Sequence, residues 1–151
     1  MDQINIRKFQ QNDAESAAKI IRNNLFDINA KYYADPTIRN LVNIYSATNL
    51  IQESSKKTII VAIYQDEFAG IGTLLYDHIS CVFVDVNNHH KGIGKKIMNA
   101  LELIAIDNGI TIINLHASIN ATIFYQRLGY DAISNLESEE FGKSIFMQKK
   151  L

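Results

Sequence analysis

The sequence has few of the features that cross-link a protein, direct its secretion or anchor it in a membrane. It is 151 residues long, with one cysteine, one proline and no apolar run near the roughly 20 residues that span a bilayer. Cys81 therefore has no partner for a disulfide within the chain, and a single thiol suits a reducing compartment. The segment from Met1 to Lys8 lacks the apolar core of a signal peptide. These absences favour a cytoplasmic protein without a membrane partner.

The charge balance is close to neutral, because 15 Lys and Arg residues stand against 16 Asp and Glu residues, a formal net charge of -1. Such a balance offers no electrostatic attraction to nucleic acid or to an anionic membrane. Apolar residues make up 47% of the chain and charged residues 21%, and a chain of this size buries a core without metal or disulfides. No internal repeat and no Pro/Gly-rich linker interrupts it, so we expect one domain over residues 1–151.

The first half of the sequence carries one strand signal and two helix signals. From Ile4 to Phe9 apolar and polar side chains alternate, which predicts a half-buried strand. Asp13 is a candidate N-cap for the first helix. Asp35-Pro36 predicts the second helix start, with a capping side chain before a proline at the first helical position, in a region that continues or restarts through Ile51. The apolar faces are formed by Ala14, Ala17, Ile21 and Leu25 in the first helix and by Ile38, Leu41, Val42 and Tyr45 in the second.

The middle of the sequence changes to short apolar strands. Segments 58–64, 68–76 and 79–84 are joined by turns so short that the three strands must be antiparallel neighbours. A helix follows, ends at Asn108-Gly109 and leads into a strand at 112–115. Because this succession makes a crossover, the strands before and after the helix are predicted to be parallel. The predicted buried positions of the crossover helix are Ile93, Ile97, Ala100, Leu101 and Ile104.

The C-terminal part predicts one more helix and two more strands. Ser118 is a candidate cap for a short helix from Ile119 to Leu128, which Gly129 closes. Strands are predicted at 130–133 and 144–148. The loop between them is acidic, with Glu137, Glu139 and Glu140. The whole pattern indicates an α/β (α+β) fold with a mixed, mostly antiparallel sheet flanked by helices.

The segment His89-His90-Lys91-Gly92-Ile93-Gly94 lies between a strand and a helix and carries the main functional signal. Its two glycines let several backbone N–H groups point at one anion, and the helix that follows adds the positive end of its dipole. Lys91, Lys95 and Lys96 add cationic side chains, so the segment predicts a pyrophosphate site. A P-loop would need Ser or Thr where Ile97 follows Lys96, and a dinucleotide-binding fingerprint would need a third glycine at Ile97.

Two motifs resemble the GNAT superfamily of acetyl-CoA-dependent N-acetyltransferases. The segment from Val84 to Gly94 looks like the family's acetyl-CoA loop, Gln/Arg-x-x-Gly-x-Gly/Ala, with His89 at the Gln/Arg position and Val86 where proline is common. About 30 residues later a second signature appears, a short helix with Ala and Phe-Tyr that runs into Leu-Gly-Phe/Tyr. Its residues here are Ser118, Ala121, Phe124-Tyr125 and Leu128-Gly129-Tyr130. The motif-level match is confined to about 79–130, and the resemblance implies the three-layer α/β/α GNAT fold.

The resemblance also implies a role for individual positions. It implies acetyl-CoA as co-substrate, without a metal, and an amine that attacks the thioester directly in a ternary complex. The backbone of Phe83 and Val84 would pair with pantetheine and polarise the thioester carbonyl, while the loop backbone would hold the pyrophosphate. Tyr125 matches the general acid that protonates the departing thiolate. The implied donor-binding residues are Phe83, Val84, His89, His90, Lys91, Gly92, Ile93, Gly94, Lys95, Ser118, Asn120 and Phe124.

Several assignments within this scheme stay open. The base that deprotonates the amine is not assigned, and Asp77, His78, His116 and a water chain are alternatives. Tyr32 and Tyr33 form either a wall of the acceptor site or a packed connection between helices. The acceptor itself is not identified from sequence, and a homodimer is an open alternative to a monomer.

Two other functions and two other chemistries compete with this interpretation. A non-catalytic CoA-binding module would keep the fold but would not need an acid at Tyr125, and a nucleotide-binding regulatory domain is disfavoured by the missing third glycine. The four histidines show no HxH or HxxxH spacing, so we expect no metal site. Cys81 lies in an apolar strand and is interpreted as a small core residue, not a nucleophile. The acceptor pocket is expected from the irregular segments 27–35 and 134–141.

Overall fold

The fold is described for residues 3–151, from a computed structural model. Met1 and Asp2, which belong to the predicted domain and to the N-terminal segment considered above, lie outside the described residues. The strands are β1 (Ile4–Lys8), β2 (Thr58–Tyr64), β3 (Glu67–Leu75), β4 (His78–Val84), β5 (Ile112–Ser118), β6 (Asp131–Ser138) and β7 (Gly142–Lys150). The α-helices are α1 (Ala14–Asp27), α2 (Asp35–Ile44), α3 (Ala47–Glu53), α4 (Ile93–Asp107) and α5 (Thr122–Arg127).

The seven strands form one mixed sheet in the order β1-β2-β3-β4-β5-β7-β6. The pairs are antiparallel except β4 and β5, which run parallel and are joined by the crossover through α4. The predicted α/β class and the mixed, mostly antiparallel sheet are therefore confirmed. The parallel pair lies in the middle of the sheet, where a crossover helix can cover it.

Helices cover both faces of the sheet, and each face has its own apolar cluster. Ile60 and Val61 are neighbours on β2 and both are buried, yet they belong to opposite clusters because successive side chains of a strand point to opposite faces. Ile97 of α4 packs in the cluster of Ile60, and Ile21 of α1 packs in the cluster of Val61. This two-sided burial explains why the central strands are continuous apolar runs, and it confirms the three-layer arrangement.

Three predicted caps are wrong, because the side chains concerned have other partners or another backbone. Asp13 lies in a short 3₁₀ turn before α1, and its carboxylate accepts two hydrogen bonds of 2.8 Å from Arg7 instead of capping the helix. Ala34 is the N-cap of α2, so Pro36 follows Asp35 inside the helix. Ser118 makes no capping hydrogen bond; it ends β5, and a 3₁₀ turn separates it from α5.

Other predictions for the helices and strands have mixed outcomes. Of the two alternatives for the helical region after Asp35, the restart is confirmed, because α3 begins after Ser46, whose hydroxyl accepts a hydrogen bond of 3.2 Å from the Asn49 N–H. The predicted acidic loop is mostly strand, since Glu137 pairs with Lys143 across β6 and β7. In α4 the buried positions include Met98 and Ala105, while the predicted Ala100 and Ile104 are only partly buried. Within residues 3–151, no helix is both long and apolar enough to cross a membrane.

Candidate donor-binding cleft

The site begins where β4 and β5 separate. The two strands pair only at His78 with Asn114 and at Ile79 with Leu115. Beyond that point β4 bends, since Cys81 has a positive φ of 54° and the register with β3 shifts in the same region. Such a bulge increases the local twist of a strand and turns it away from its neighbour. The rest of β4 is consequently left without a strand partner on the β5 side.

The space between the separated strands is a cleft of about 410 Å³. It brings together every predicted site residue except Lys91. It also adds residues that the motifs do not contain, above all Asn24 and Asn29 from the region of α1. The predicted residues in its lining are Phe83, Val84, His89, His90, Gly92, Ile93, Gly94, Lys95, Ser118, Asn120, Phe124 and Tyr125.

The glycine loop closes one end of the cleft and leads into the first turn of α4. His90 and Gly92 have positive φ angles of 65° and 83°, and Gly92 is the N-cap of the helix. A Cβ at Gly92 would meet no atom within 4 Å, so the need for glycine there is conformational. A Cβ at Gly94 would lie 3.0 Å from Cζ of Phe124, so that position needs glycine for close packing. The two glycines of the motif therefore serve different purposes.

Lys91 lies outside the lining of the cleft. Its ammonium donates a hydrogen bond of 3.0 Å to Asn88 Oδ1 and stands 5.1 Å from the centre of the Tyr64 ring. Lys95, in contrast, lines the cleft on the first turn of α4. Of the lysines around the motif, Lys95 is thus the one placed to meet an anion in the cleft.

Tyr125 lies inside the cleft with its ring packed between two other aromatic rings. Its ring centre is 5.0 Å from that of Phe124 and 5.9 Å from that of Tyr130, both in edge-on arrangements. The side chain is 8% exposed, and its hydroxyl has no hydrogen-bond partner among residues 3–151. Burial raises the pKa of the Tyr125 hydroxyl above its ordinary value. The phenol therefore stays protonated at neutral pH and is free to donate a hydrogen bond into the cleft.

Cys81 behaves as a core residue. It is 8% exposed, and burial raises the pKa of its thiol to about 12. A thiol that stays protonated is a weak nucleophile. In the part of the chain that the structure describes, no group of three His, Cys, Asp or Glu side chains is arranged to hold a metal ion.

The candidate bases lie together but outside the lining of the cleft. His78 Nδ1 is hydrogen-bonded to Asn114 Oδ1, and the rings of His78 and His116 are 5.0 Å apart. Burial and then the nearby His78 lower the pKa of His116. Asp77 contributes its backbone carbonyl, which accepts a hydrogen bond of 2.8 Å from the Asn114 N–H. The assignment of the base among these three side chains therefore stays open.

Asn24 is the main residue that the motifs did not reveal. It is 5% exposed, and its Nδ2 donates to the carbonyl oxygens of Ile20 at 3.0 Å and Val84 at 2.7 Å. A polar side chain on the apolar face of α1, between Ile21 and Leu25, is the signal in the sequence that marks it. A buried amide on such a face requires a partner, and here the partner is the end of β4.

The sequence profile of the acetyltransferase (GNAT) domain family matches residues 29–151. The chain belongs to the GNAT acetyltransferases. The comparison with curated proteins finds no match. Solved GNAT structures share the fold along nearly the whole chain, and at their low sequence identities they show the fold alone.

Three of these structures illustrate the range of structural similarity and sequence identity. An N-acetyltransferase from Rhodopseudomonas palustris has a TM-score of 0.88 and 22% identity, over 97% of this chain and 95% of that one. The PaiA N-acetyltransferase from Thermoplasma acidophilum, in complex with coenzyme A, has a TM-score of 0.80 and 20% identity, over 99% of both chains. An aminoglycoside 6'-N-acetyltransferase complexed with coenzyme A has a TM-score of 0.70 and 15% identity, over 97% of this chain and 96% of that one.

Proposed function

We propose that this GNAT protein is an N-acetyltransferase that moves an acetyl group from acetyl-CoA to an amine by direct attack in a ternary complex. The observation that carries the proposal is the cleft between β4 and β5, which has the glycine loop at one end and Tyr125 in its wall. Two of the structurally similar proteins are described with coenzyme A, and this chain has the same fold. We place the activity in one cytoplasmic domain over residues 1–151.

The donor fits the cleft through its anionic and its extended parts. The backbone from His89 to Lys95 and the N-terminal end of α4 offer N–H groups and a positive dipole end for the pyrophosphate. Ser118 and Asn120 line the opposite wall, where the pantetheine arm would run. Between these two regions β4 has no strand partner on the β5 side among residues 3–151, so its main-chain groups there, other than the Val84 carbonyl that Asn24 and His89 contact, are available to hydrogen-bond an extended ligand.

We assign Tyr125 as the proton donor, and its location in the cleft and its protonated hydroxyl support this assignment. Acetyl-CoA supplies a thioester; the amine nitrogen bonds to the carbonyl carbon, the carbon–sulfur bond breaks, and the sulfur leaves as a thiolate. The Tyr125 hydroxyl, which has no hydrogen-bond partner among residues 3–151, can donate to that sulfur as negative charge develops. The amine loses its proton to water or to a side chain that we do not assign.

The first test is ligand binding, because it needs no knowledge of the acceptor. Acetyl-CoA at 100 times its dissociation constant should stabilise the fold by about 2.7 kcal/mol, whereas ATP and NAD should stabilise it far less. Thermal unfolding with each ligand measures this difference. Equal stabilisation by all three ligands, or by none, would overturn the donor assignment.

The second test is turnover. An amine library screened for acetyl-CoA-dependent release of free CoA should contain at least one acceptor that the wild-type protein acetylates and that Tyr125→Phe acetylates slowly. Tight binding of acetyl-CoA without turnover of any small amine, peptide N-terminus or protein lysine would instead support the non-catalytic CoA-binding module.

A further inference from the structure

The carbonyl oxygen of Val84, the last residue of β4, accepts hydrogen bonds from two side chains. Asn24 Nδ2 donates from α1 at 2.7 Å, and His89 Nε2 lies 3.0 Å away in the glycine loop. Since a carbonyl oxygen can only accept, Nε2 must be the ring nitrogen that carries hydrogen. A carbonyl oxygen has two lone pairs, so two donors saturate it.

This carbonyl points to the side of β4 from which β5 has separated. The Asp85 N–H donates to the carbonyl of Ala69 on β3 at 2.8 Å. In a trans peptide the C=O of one residue and the N–H of the next point in opposite directions, so the Val84 carbonyl points away from β3. Asn24 and His89 therefore occupy the place where a continued β5 would have hydrogen-bonded.

We propose that Asn24 and His89 are positioning residues that jointly hold the Val84 carbonyl and thereby fix the end of β4, apart from β5, in the geometry that binds the pantetheine arm of the donor. The inference rests on the proposed function in taking a CoA thioester as the donor. It also gives a role to the side chain of His89, which reaches the Val84 carbonyl from the glycine loop. Another side chain of similar reach that donates to this carbonyl, such as Gln, should be able to replace it.

The two donors come from different parts of the fold, and this makes the arrangement redundant. Asn24 is anchored on α1 through its second hydrogen bond to Ile20, whereas His89 moves with the glycine loop. Losing one donor leaves the carbonyl with a partner, and losing both leaves the end of β4 unattached on the cleft side. The effects of the two substitutions should therefore be coupled, since both act on one oxygen atom.

The test compares binding of CoA with binding of adenosine 3'-phosphate 5'-diphosphate, which keeps the pyrophosphate of CoA and lacks the pantetheine arm. The variants are Asn24→Leu, His89→Leu, His89→Gln and the double variant Asn24→Leu with His89→Leu. Asn23→Leu, a like substitution at the neighbouring position of α1 outside the cleft lining, is the matched control. Calorimetry measures each dissociation constant, and circular dichroism with thermal melting checks the fold.

Each single leucine variant should weaken CoA binding about 2- to 10-fold, as expected for one hydrogen bond. The double variant should lose more than the product of the two single losses, and His89→Gln should stay within about twofold of the wild type because Gln retains a donor. Affinity for adenosine 3'-phosphate 5'-diphosphate should change little in all of them. A general loss of stability would weaken the binding of both ligands and would not produce this difference between their affinities.

Three results would overturn the inference. One is a folded double variant that binds CoA as tightly as the wild type, and another is an equal loss for both ligands. The third is a His89→Gln variant as weak as His89→Leu. If Asn24→Leu does not fold, the two His89 variants still test the inference, because His89 is only half-buried and its substitution should leave the fold intact. A wild-type protein that binds no CoA would instead contradict the proposed function.

Discussion

The hydroxyl of Tyr33 donates a hydrogen bond of 2.6 Å to the carbonyl oxygen of Lys143. The same hydroxyl oxygen accepts a hydrogen bond of 2.9 Å from the N–H of Ile119. Tyr33 thus joins the connection between α1 and α2 to β7 and to the turn that follows β5. Burial raises the pKa of Tyr33, so the hydroxyl keeps the proton that it donates. The neighbouring Tyr32 is 53% exposed, and the geometry favours packing over substrate contact for Tyr33.

Tyr33→Phe should therefore lower stability more than activity. Because Ile119 is exposed, water can replace its lost partner, and we expect a loss of about 1 kcal/mol in the free energy of unfolding. Urea unfolding measures this loss, and hydrogen exchange at the Ile119 amide should become faster. Tyr32→Phe, which removes a hydroxyl that makes no hydrogen bond within residues 3–151, is the control. Equal stability of the two variants would contradict the role of Tyr33.

The ion pair between Arg7 and Asp13 should make stability depend on pH. The hydrogen bonds from Arg7 lower the pKa of Asp13 below its ordinary value. A carboxylate with a lowered folded-state pKa contributes stability that is present above its unfolded pKa, about 3.9, and is lost as pH falls through the folded-state pKa. Asp13→Asn should cost about 1–3 kcal/mol at neutral pH, because it removes charged hydrogen bonds from a carboxylate that is 7% exposed.

Urea unfolding at neutral pH and below pH 4 measures this dependence, and the difference between Asp13→Asn and wild type should shrink at the lower pH. Asp35 also pairs with an arginine, Arg39, but both side chains are at least 70% exposed. Asp35→Asn should for that reason change stability little at either pH. A pH-independent effect of Asp13→Asn would show that its cost comes from packing and not from the ion pair.

The lysines beside the glycine loop should differ in their effect on donor binding. Lys95→Ala should weaken CoA binding by about 3- to 10-fold at low salt, and the loss should fall as salt rises from about 0.05 M to about 0.5 M, because the contact is exposed and screened. Lys91→Ala should weaken it less than about twofold, since that ammonium is held by Asn88 and Tyr64. Calorimetry at the two salt concentrations measures the loss of CoA affinity in each variant. Equal, salt-independent losses would contradict the placement of Lys95.

The sequence allowed prediction of those features that depend on neighbours along the chain. The strands, the crossover and the glycine loop before α4 follow from local patterns, and the parallel pair follows from the crossover. The cap at Asp13 was wrong because a local pattern cannot choose between two partners for one carboxylate, and Arg7 on β1 takes it. Contacts over long separations, such as Asn24 with Val84, depend on how α1 packs on the sheet, and the sequence pattern does not contain that information.

Tyr125→Phe tests the proposed chemistry, because it removes one hydroxyl and keeps the ring that packs against Phe124 and Tyr130. The fold and CoA affinity should change little, since that hydroxyl makes no hydrogen bond within residues 3–151. If the phenol donates to the departing sulfur, kcat should fall by a factor of about 10² or more with an acceptor that the wild type acetylates. The loss should be smaller with an acetyl thioester of a more acidic thiol, because its sulfur leaves more readily without protonation.

Because burial raises the pKa of Tyr125, its ionisation should not lower the wild-type kcat between pH 6 and about 9. A folded Tyr125→Phe variant with unchanged kcat, or a loss independent of the thiol, would assign the proton transfer to water or to another side chain.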